Sequence, residues 1–359
     1  QKDEGYNIFY MGINIGALLA PLITQYLAKK LFGIDGMPAY KVVFIAAGIG
    51  MLLSLVWFWF GRAQLKGIGL PAAHQTGMRN VSLVLLFGVV IGIPLFYALL
   101  TIDATLLQGI LMALFIIPAV MLLREGVVEG AVARDKVVAM LIIFTFNVLF
   151  WCFFEQAGSS FNFLAEKIVN RDIGMQGMFQ ALAGTHDFPV SWFQSVNSVA
   201  IIVLAPILAW LWVKMGKNNP IIPRKFGLGL IFNGLAFLLL MVALKSMVDG
   251  SGKIPFWTLF MVYVIQSVGE LCLSPIGLSM TTKLAPVKLG GMAMGCWFLS
   301  IAIGNNLAGI FAGKVSGEGG MTVASAQAGY TQGFWILMVG GVLLFLIAPL
   351  IQRLMHGVK

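Results

Sequence analysis

The feature that most constrains this chain is a series of apolar stretches, separated by short polar segments. Each is about 20 residues long, the length at which a helix crosses the hydrocarbon core of a bilayer. Hydrophobic residues make up 59% of the chain and charged residues only 10%, whereas a soluble domain carries about 25% charged residues. The alternating segments of about ten residues that build outer-membrane barrels do not occur in the sequence. The chain is therefore predicted to be an all-α polytopic membrane protein.

The apolar stretches can be counted along the sequence, and each is predicted to be one transmembrane helix. Several contain proline or clustered glycine, which helices inside a bundle tolerate. The ten predicted spans are residues 6–29, 41–60, 81–100, 105–123, 137–165, 190–213, 225–244, 255–282, 289–312 and 332–352.

The distribution of basic residues predicts the orientation of these spans. Of the 23 Lys and Arg residues, 15 lie on the side of the N-terminus and 8 on the other side. Cytoplasmic loops collect basic residues, so both termini of the chain are predicted to be cytoplasmic. The same rule accounts for the net charge of +9 without nucleic acid as a partner. Because the chain begins at Gln1, in a polar segment without an initiator Met, residues upstream are expected.

Two carboxylates interrupt apolar stretches. Glu155 lies in the stretch Met140–Gln156, and a charge in the middle of an apolar helix costs about 3 kcal/mol. On a continuous helix Glu155, Ser159 and Asn162 share one face. Such a face indicates a ligand, water or partner helices, and the alternative interpretation is a structural cluster of interhelical hydrogen bonds.

Glu270 lies in the second such stretch, Phe256–Pro275, with Ser274 one turn later. Proline removes a backbone donor and disrupts the preceding turn. A weakened helix beside a titratable group is what a moving gate requires. The alternative is a proline kink with an incidental charge.

Weaker candidates lie in three other spans. Tyr10 and Asn14 are one turn apart in the first span and could donate to a ligand, although Tyr is also common at membrane interfaces. Asn197 and Trp297 are single polar or aromatic residues in apolar helices, where such residues usually serve packing.

The sequence offers no support for an enzyme. No HExxH pattern, Walker loop or GxSxG motif occurs, and the three cysteines have neither disulfide nor metal spacing. No cofactor is expected. An ion gradient is therefore the expected source of energy.

Three motifs, in the same order, resemble those of the proton-coupled oligopeptide transporters, a branch of the major facilitator superfamily. They lie at Phe9–Gly16 (FYMGINIG), Phe150–Ser159 (FWCFFEQAGS) and Gly269–Gly277 (GELCLSPIG). Directly after the first motif, Ala17 stands where the family often has Ser.

This resemblance implies a major facilitator fold with a partial N-terminal bundle. Bacterial members have twelve core helices and an additional pair between the two halves. The chain would hold core helices five and six (1–60), loops with the inserted helix pair (61–136) and a complete C-terminal six-helix bundle (137–359). The first four helices, with the Glu-x-x-Glu-Arg motif of helix one and a lysine of helix four, would be absent.

The resemblance also implies roles for individual residues. Six would bind substrate: Tyr10 and Asn14 at the peptide backbone, Asn197 and Glu270 at the peptide's amino terminus, Ser274 near the cavity gate, and Trp297 in a side-chain pocket. Glu155 would be the proton-sensitive group of the cavity.

The predicted function is therefore proton-coupled symport of di- and tripeptides into the cell by alternating access. Its partners would be small peptides, protons and the lipid bilayer, and the resemblance implies the bacterial plasma membrane as its location. Two alternatives stay open: a related carrier for nitrate, another anion or a drug, and a membrane protein that transports nothing and whose buried charges fix helix packing.

Overall fold

A computed structural model describes residues 2–34, 37–67, 78–317 and 319–358, with side chains from Met11 onward in the first range and from Val81 onward in the third. Within these ranges the chain forms twelve α-helices and no strand, as predicted. The helices are α1 (Lys2–Gln25), α2 (Tyr40–Gly61), α3 (Met78–Thr101), α4 (Ala104–Glu129), α5 (Ala131–Phe154), α6 (Ser160–Lys167), α7 (Gln176–Ala183), α8 (Trp192–Met215), α9 (Ile222–Ser246), α10 (Phe256–Leu284), α11 (Gly290–Ser316) and α12 (Val323–Leu354).

Ten helical segments in the described ranges are long and apolar enough to cross a membrane, the number that the sequence predicts. They include every α-helix except the short α7, with α5 and α6 together forming one segment. Their centres agree with the predicted spans, and the chain is an integral membrane protein.

The chain divides into two compact units, residues 1–25 with 108–359, and residues 26–107. The predicted division at residues 60 and 136 stays a prediction. In the first unit α9 packs between α10 and α12, α5 packs on α11, and α8 packs on both α1 and α10. These pairs build the core in which the site lies.

Small residues let α9 approach its neighbours closely, as in many membrane bundles. A Cβ atom on Gly229 of α9 would lie 2.9 Å from the carbonyl oxygen of Gly269 on α10. A Cβ on Gly227 would lie 3.1 Å from the carbonyl oxygen of Gly341 on α12. The contact between α9 and α10 needs glycine at both Gly229 and Gly269, and it fixes the position of α10 against α9.

The second unit contains α2, α3 and the π-helical segment Tyr26–Leu31. The chain enters α4 through Asp103, whose Oδ1 accepts hydrogen bonds from the backbone N–H groups of Thr105 and Leu106 at 2.8 and 3.2 Å. These backbone hydrogen bonds, first that of Leu106 and then that of Thr105, hold the pKa of Asp103 below its usual value. A negative side chain at this position stabilises the start of a helix.

Three features differ from the predicted helices. The segment 166–189, which connects the predicted spans 137–165 and 190–213 as a loop, contains α7. α12 begins at Val323, nine residues before the predicted start at 332. The predicted continuous span 137–165 is interrupted: α5 ends at Phe154, residues Glu155–Gly158 form a 3₁₀ turn, and α6 begins at Ser160.

Candidate functional site

A buried polar cluster joins α8 and α10. Asn197 Nδ2 donates hydrogen bonds to Glu270 Oε2 at 3.0 Å and to Ser267 Oγ at 2.9 Å. Ser267 Oγ in turn donates to the carbonyl oxygen of Tyr263 at 2.7 Å. Glu270 is only 8% exposed, so its carboxylate is held by polar groups inside the bundle. The structure thus brings together Asn197 and Glu270, which the sequence analysis placed at the same end of a substrate.

Glu155 lies on the 3₁₀ turn that interrupts the α5–α6 span, and it lines a cavity of about 300 Å³. Asn197, Gln194 and Gln266 line the same cavity. Among the described residues, no group donates a hydrogen bond to the Glu155 carboxylate. A carboxylate that faces a cavity without a cation or donor can take up a proton.

The interruption changes one prediction about this face. Ser159 has φ −132° and ψ −97°, so Glu155, Ser159 and Asn162 do not follow a single helix, and the expected shared face was wrong. Ser159 Oγ instead donates to the Glu155 carbonyl oxygen at 3.0 Å. Of Glu155, Ser159 and Asn162, only Glu155 therefore lines the cavity.

Side chains from neighbouring helices bind the carbonyl groups of the interrupted span. Tyr263 Oη donates to the carbonyl oxygen of Ala157 at 3.1 Å, and Gln266 Nε2 donates to that of Phe153 at 3.3 Å. The Gln266 amide also donates to Asn233 Oδ1 at 2.9 Å. Backbone groups inside a membrane must be satisfied internally, so α9 and α10 stabilise the turn that carries Glu155.

A second cavity, of about 410 Å³, follows the same face of α8 toward its C-terminal end. The first cavity is lined by three residues of α8: Gln194, Asn197 and Ser198. The α8 residues that line the second cavity continue the same helical spacing, so both cavities lie on one face of α8. The whole lining of the second cavity comprises Met11, Asn14, Ile201, Ile202, Ala205, Pro206, Leu208, Ala209, Trp212, Lys225, Leu271, Pro275 and Ile276. The Asn197–Glu270 pair lies at the transition, because Asn197 lines the first cavity and Leu271 the second.

The second cavity is apolar except at two places. Asn14 of α1 is 4% exposed and lies on its wall. Lys225, in the first turn of α9, lies on another wall with its Nζ 4.8 Å from the ring centre of Trp212. A cation above an indole face is attracted by the ring quadrupole. This arrangement holds the ammonium group against Trp212.

The remaining predicted site residues are more scattered. The side chain of Tyr10 lies outside the described residues. Ser274 Oγ is buried without a hydrogen bond among the described residues, and α10 continues through Pro275 beside it. Trp297 is 2% exposed among core residues of α5, α9 and α10, and it lines neither cavity. The roles of these three residues stay predictions.

Several residues of the site were not predicted from the sequence. They are Gln156, Gln194, Tyr263, Gln266 and Ser267. Tyr263, Gln266, Ser267 and Glu270 lie at positions i, i+3, i+4 and i+7 of an apolar helix, so they share one face. That polar stripe was a signal available in the sequence.

Comparison with known proteins identifies relatives of the whole chain. A family model described as the POT family matches residues 1–316. The uncharacterized transporter YclF of Bacillus subtilis is 32% identical over 371 residues, which cover 100% of this chain and 69% of YclF. The di-/tripeptide transporter of Lactococcus lactis subsp. lactis is 31% identical and matches 84% of this chain and 60% of that transporter.

Solved structures agree with these relatives. The crystal structure of the peptide transporter POT in complex with sulfate has a TM-score of 0.74 and 32% identity, covering 99% of this chain and 69% of that one. A variant of POT with alafosfalin has a TM-score of 0.74 and 33% identity, at the same coverage. These matches confirm the predicted fold class, and they are to transporters rather than enzymes. The chain belongs to the POT family.

Proposed function

We propose that this protein carries di- and tripeptides into the cell together with protons, by alternating access. The observation that carries the proposal is the hydrogen bond between Asn197 and Glu270, formed beside the cavity that Glu155 lines. One carboxylate is held within a polar pair and the other is alone. Two carboxylates in such different surroundings can serve an ammonium group and a proton separately.

The ammonium group of a peptide fits the Asn197–Glu270 pair. A buried carboxylate stabilises a nearby cation strongly, because the interior screens charge less than water does. Family membership and the names of the peptide-transporting relatives support the same substrate. The cavities, of about 300 and 410 Å³, are of the size that holds small ligands, which is typically about 300 Å³ and upward.

Glu155 is the proton site in this proposal. A carboxylate without a partner in an apolar bundle is costly when charged, and protonation relieves that cost. Entry of a cationic amine near Glu270 changes the charge around the same cavity. Binding of the proton and binding of the peptide are thereby linked.

Other residues complete the proposal. Tyr10 and Asn14 contact the peptide backbone, Ser274 lies near the gate and Trp297 lines a side-chain pocket in another conformation. The proton gradient supplies the energy, without a cofactor. The membrane is the bacterial plasma membrane, with both termini of the chain in the cytoplasm.

The test uses proteoliposomes that contain the protein, with an inward proton gradient and a labelled dipeptide. Glu155→Gln should lower uphill accumulation by at least about fivefold, the lower end of typical coupling between linked sites. Glu166→Gln, an exposed carboxylate of α6, is the matched control and should leave accumulation unchanged. Undiminished accumulation by the Glu155 variant would refute its role.

The substrate is tested in the same vesicles by competition. Unlabelled di- and tripeptides should inhibit uptake, and an N-acetylated dipeptide should inhibit weakly because it lacks the ammonium group that Glu270 binds. Nitrate or a hydrophobic drug that competes better than dipeptides would support the related carriers instead. No substrate-dependent proton flux at all would support a membrane protein that does not transport.

A further inference from the structure

Gln156 follows Glu155 directly and is fully buried. Its Nε2 donates hydrogen bonds to two carbonyl oxygens, that of Cys152 on α5 at 2.9 Å and that of Ala308 on α11 at 3.2 Å. Both amide protons are therefore used, and each is used on a different helix. This single side chain ties the 3₁₀ turn to α5 and α11.

The oxygen of the same amide connects to the other side of the turn. Gln156 Oε1 accepts a hydrogen bond from Ser160 Oγ of α6 at 2.7 Å. Ser160 Oγ accepts one from Tyr330 Oη of α12 at 3.1 Å. Ser160 and Tyr330 are fully buried as well, so the network has no contact with solvent. A buried network with all its members satisfied is rigid and specifies one arrangement.

The network acts on the residue that bears the carboxylate. The backbone of Gln156 also accepts a hydrogen bond from the N–H of Ser159 at 3.1 Å, which closes the turn. Glu155 is its chain neighbour on the cavity side, while the Gln156 side chain points into the protein. Fixing Gln156 therefore fixes the direction in which Glu155 faces.

We propose that Gln156 is a positioning residue that holds the Glu155 carboxylate toward the cavity in the geometry required for proton coupling. This inference rests on the proposed function. The Glu155 carboxylate has no hydrogen bond among the described residues, so its position depends on the turn that carries it. Because α5 and α6 do not form a continuous helix, the turn between them is held by the side-chain hydrogen bonds of Gln156.

The chemistry of the contacts requires an amide at position 156. Two carbonyl oxygens need donors and the Ser160 hydroxyl needs an acceptor, and a primary amide supplies both at one site. Glu in its ionised form would place an oxygen against the carbonyls of Cys152 and Ala308. Met has a similar length but leaves these oxygens without a donor.

Other titratable groups also contact this region. Tyr263 of α10 donates to Ala157, Tyr330 of α12 donates to Ser160, and Glu270 reaches the cavity through Asn197. A change in pH dependence must therefore be traced to Glu155 by a double variant rather than assumed.

A purely structural role is the competing explanation, and Asn147 provides its control. Asn147 is also a fully buried amide on α5, and its Nδ2 donates to Ser300 Oγ of α11 at 2.8 Å. Its Oδ1 accepts from Trp151 Nε1 at 3.0 Å. It thus joins the same two helices with a donor and an acceptor, but it lies two turns before Glu155.

The experiment compares Gln156→Met with Asn147→Leu in proteoliposomes. Two rates are measured: proton-driven accumulation of a dipeptide, and counterflow exchange of labelled for unlabelled dipeptide, which needs no net proton movement. For Gln156→Met, accumulation should fall by about tenfold, counterflow by less than about twofold, and the pH of half-maximal uptake should shift. Asn147→Leu should lower both rates equally, without a shift in pH.

The double variant Glu155→Gln/Gln156→Met decides the mechanism. If Gln156 acts through Glu155, the double variant should match Glu155→Gln alone. A further loss in the double variant, or equal losses of accumulation and counterflow in Gln156→Met, would overturn the proposal. Full accumulation by Glu155→Gln would instead refute the proposed proton site, so the two failures are distinguishable. If Gln156→Met does not fold, Ser160→Ala removes the donor to Oε1 and must show the same pattern for the proposal to stand.

Discussion

At the scale of the residue, Gly277 and Trp297 show how closely α10 and α11 pack. The six-membered ring of Trp297 occupies the space that a Cβ atom at position 277 would fill. The indole cannot move away easily, since the rings of Phe144 and Phe226 lie at centroid distances of 5.6 and 6.2 Å. The motif that begins at Gly269 thus ends on a glycine that this packing requires.

Gly277→Ala should therefore destabilise the protein by about 1–3 kcal/mol through overpacking. The measurement is the thermal unfolding midpoint in detergent. Gly295→Ala is the control, because a Cβ at this exposed position of α11 meets no atom within 4 Å and alanine favours a helix. Equal midpoints for Gly277→Ala and the parent would show that the indole moves aside without cost.

The pairing of individual residues was predicted only through the family resemblance. Hydropathy identified Glu155 and Glu270 as costly, but not what each would contact. Asn197 and Glu270 are 73 positions apart, and only the packing of α8 on α10 brings them to 3.0 Å. Gln156 looked like a polar neighbour of a carboxylate, but one of its partners, Ala308, is 152 positions away. Tyr330, which binds the Ser160 hydroxyl next to it, is 170 positions from Ser160.

At the scale of the element, α12 shows why helix ends were harder to predict than helix centres. Hydropathy finds the part of a helix that lies in hydrocarbon. The first turns of α12, with Ser325, Gln327 and Gly329, are too polar for that signal. The start is nevertheless specified locally, because Thr322 and Ser325 form a capping box with N–O distances of 3.1 and 3.0 Å.

Thr322→Ala should fray this first turn, at a cost of about 1 kcal/mol. Hydrogen exchange should quicken in residues 323–328 and remain unchanged in the centre of α12. Thr322→Asn, which can still cap the helix, should restore protection. Unchanged exchange in Thr322→Ala would mean that the capping bonds do not hold the turn.

The interruption after α5 illustrates the opposite case, in which distant residues decide an element. Residues 137–165 are apolar enough to predict one continuous helix. The turn at Glu155–Gly158 is held by Tyr263 and Gln266 of α10, and by Tyr330 through Ser160. Periodicity within the segment carries no information about these partners.

At the scale of the whole molecule, the number of spans follows from bilayer thickness, and the distribution of charge predicts their orientation. The balance of 15 basic residues against 8 predicts that the segment before α9 is cytoplasmic and that the segment before α10 is external. Both segments contain exposed residues that can be labelled, Asn219 and Ser251.

In intact cells Ser251→Cys should therefore react with a membrane-impermeant maleimide, and Asn219→Cys should react only after the membrane is opened. The background should be low, because Cys152, Cys272 and Cys296 are all buried. Labelling of Asn219→Cys in intact cells would reverse the proposed orientation.

The position of the Asn197–Glu270 hydrogen bond between the two cavities has a consequence for which solutes pass. Under the proposed function, a solute that moves along this face of α8 meets the hydrogen bond between Asn197 and Glu270. A solute with its own ammonium group can take the place of the asparagine donor, so it opens this bond by the same contact that binds it. A neutral or anionic solute offers no cation that could replace the Asn197 donor. The Asn197–Glu270 hydrogen bond would therefore select for solutes that carry an ammonium group.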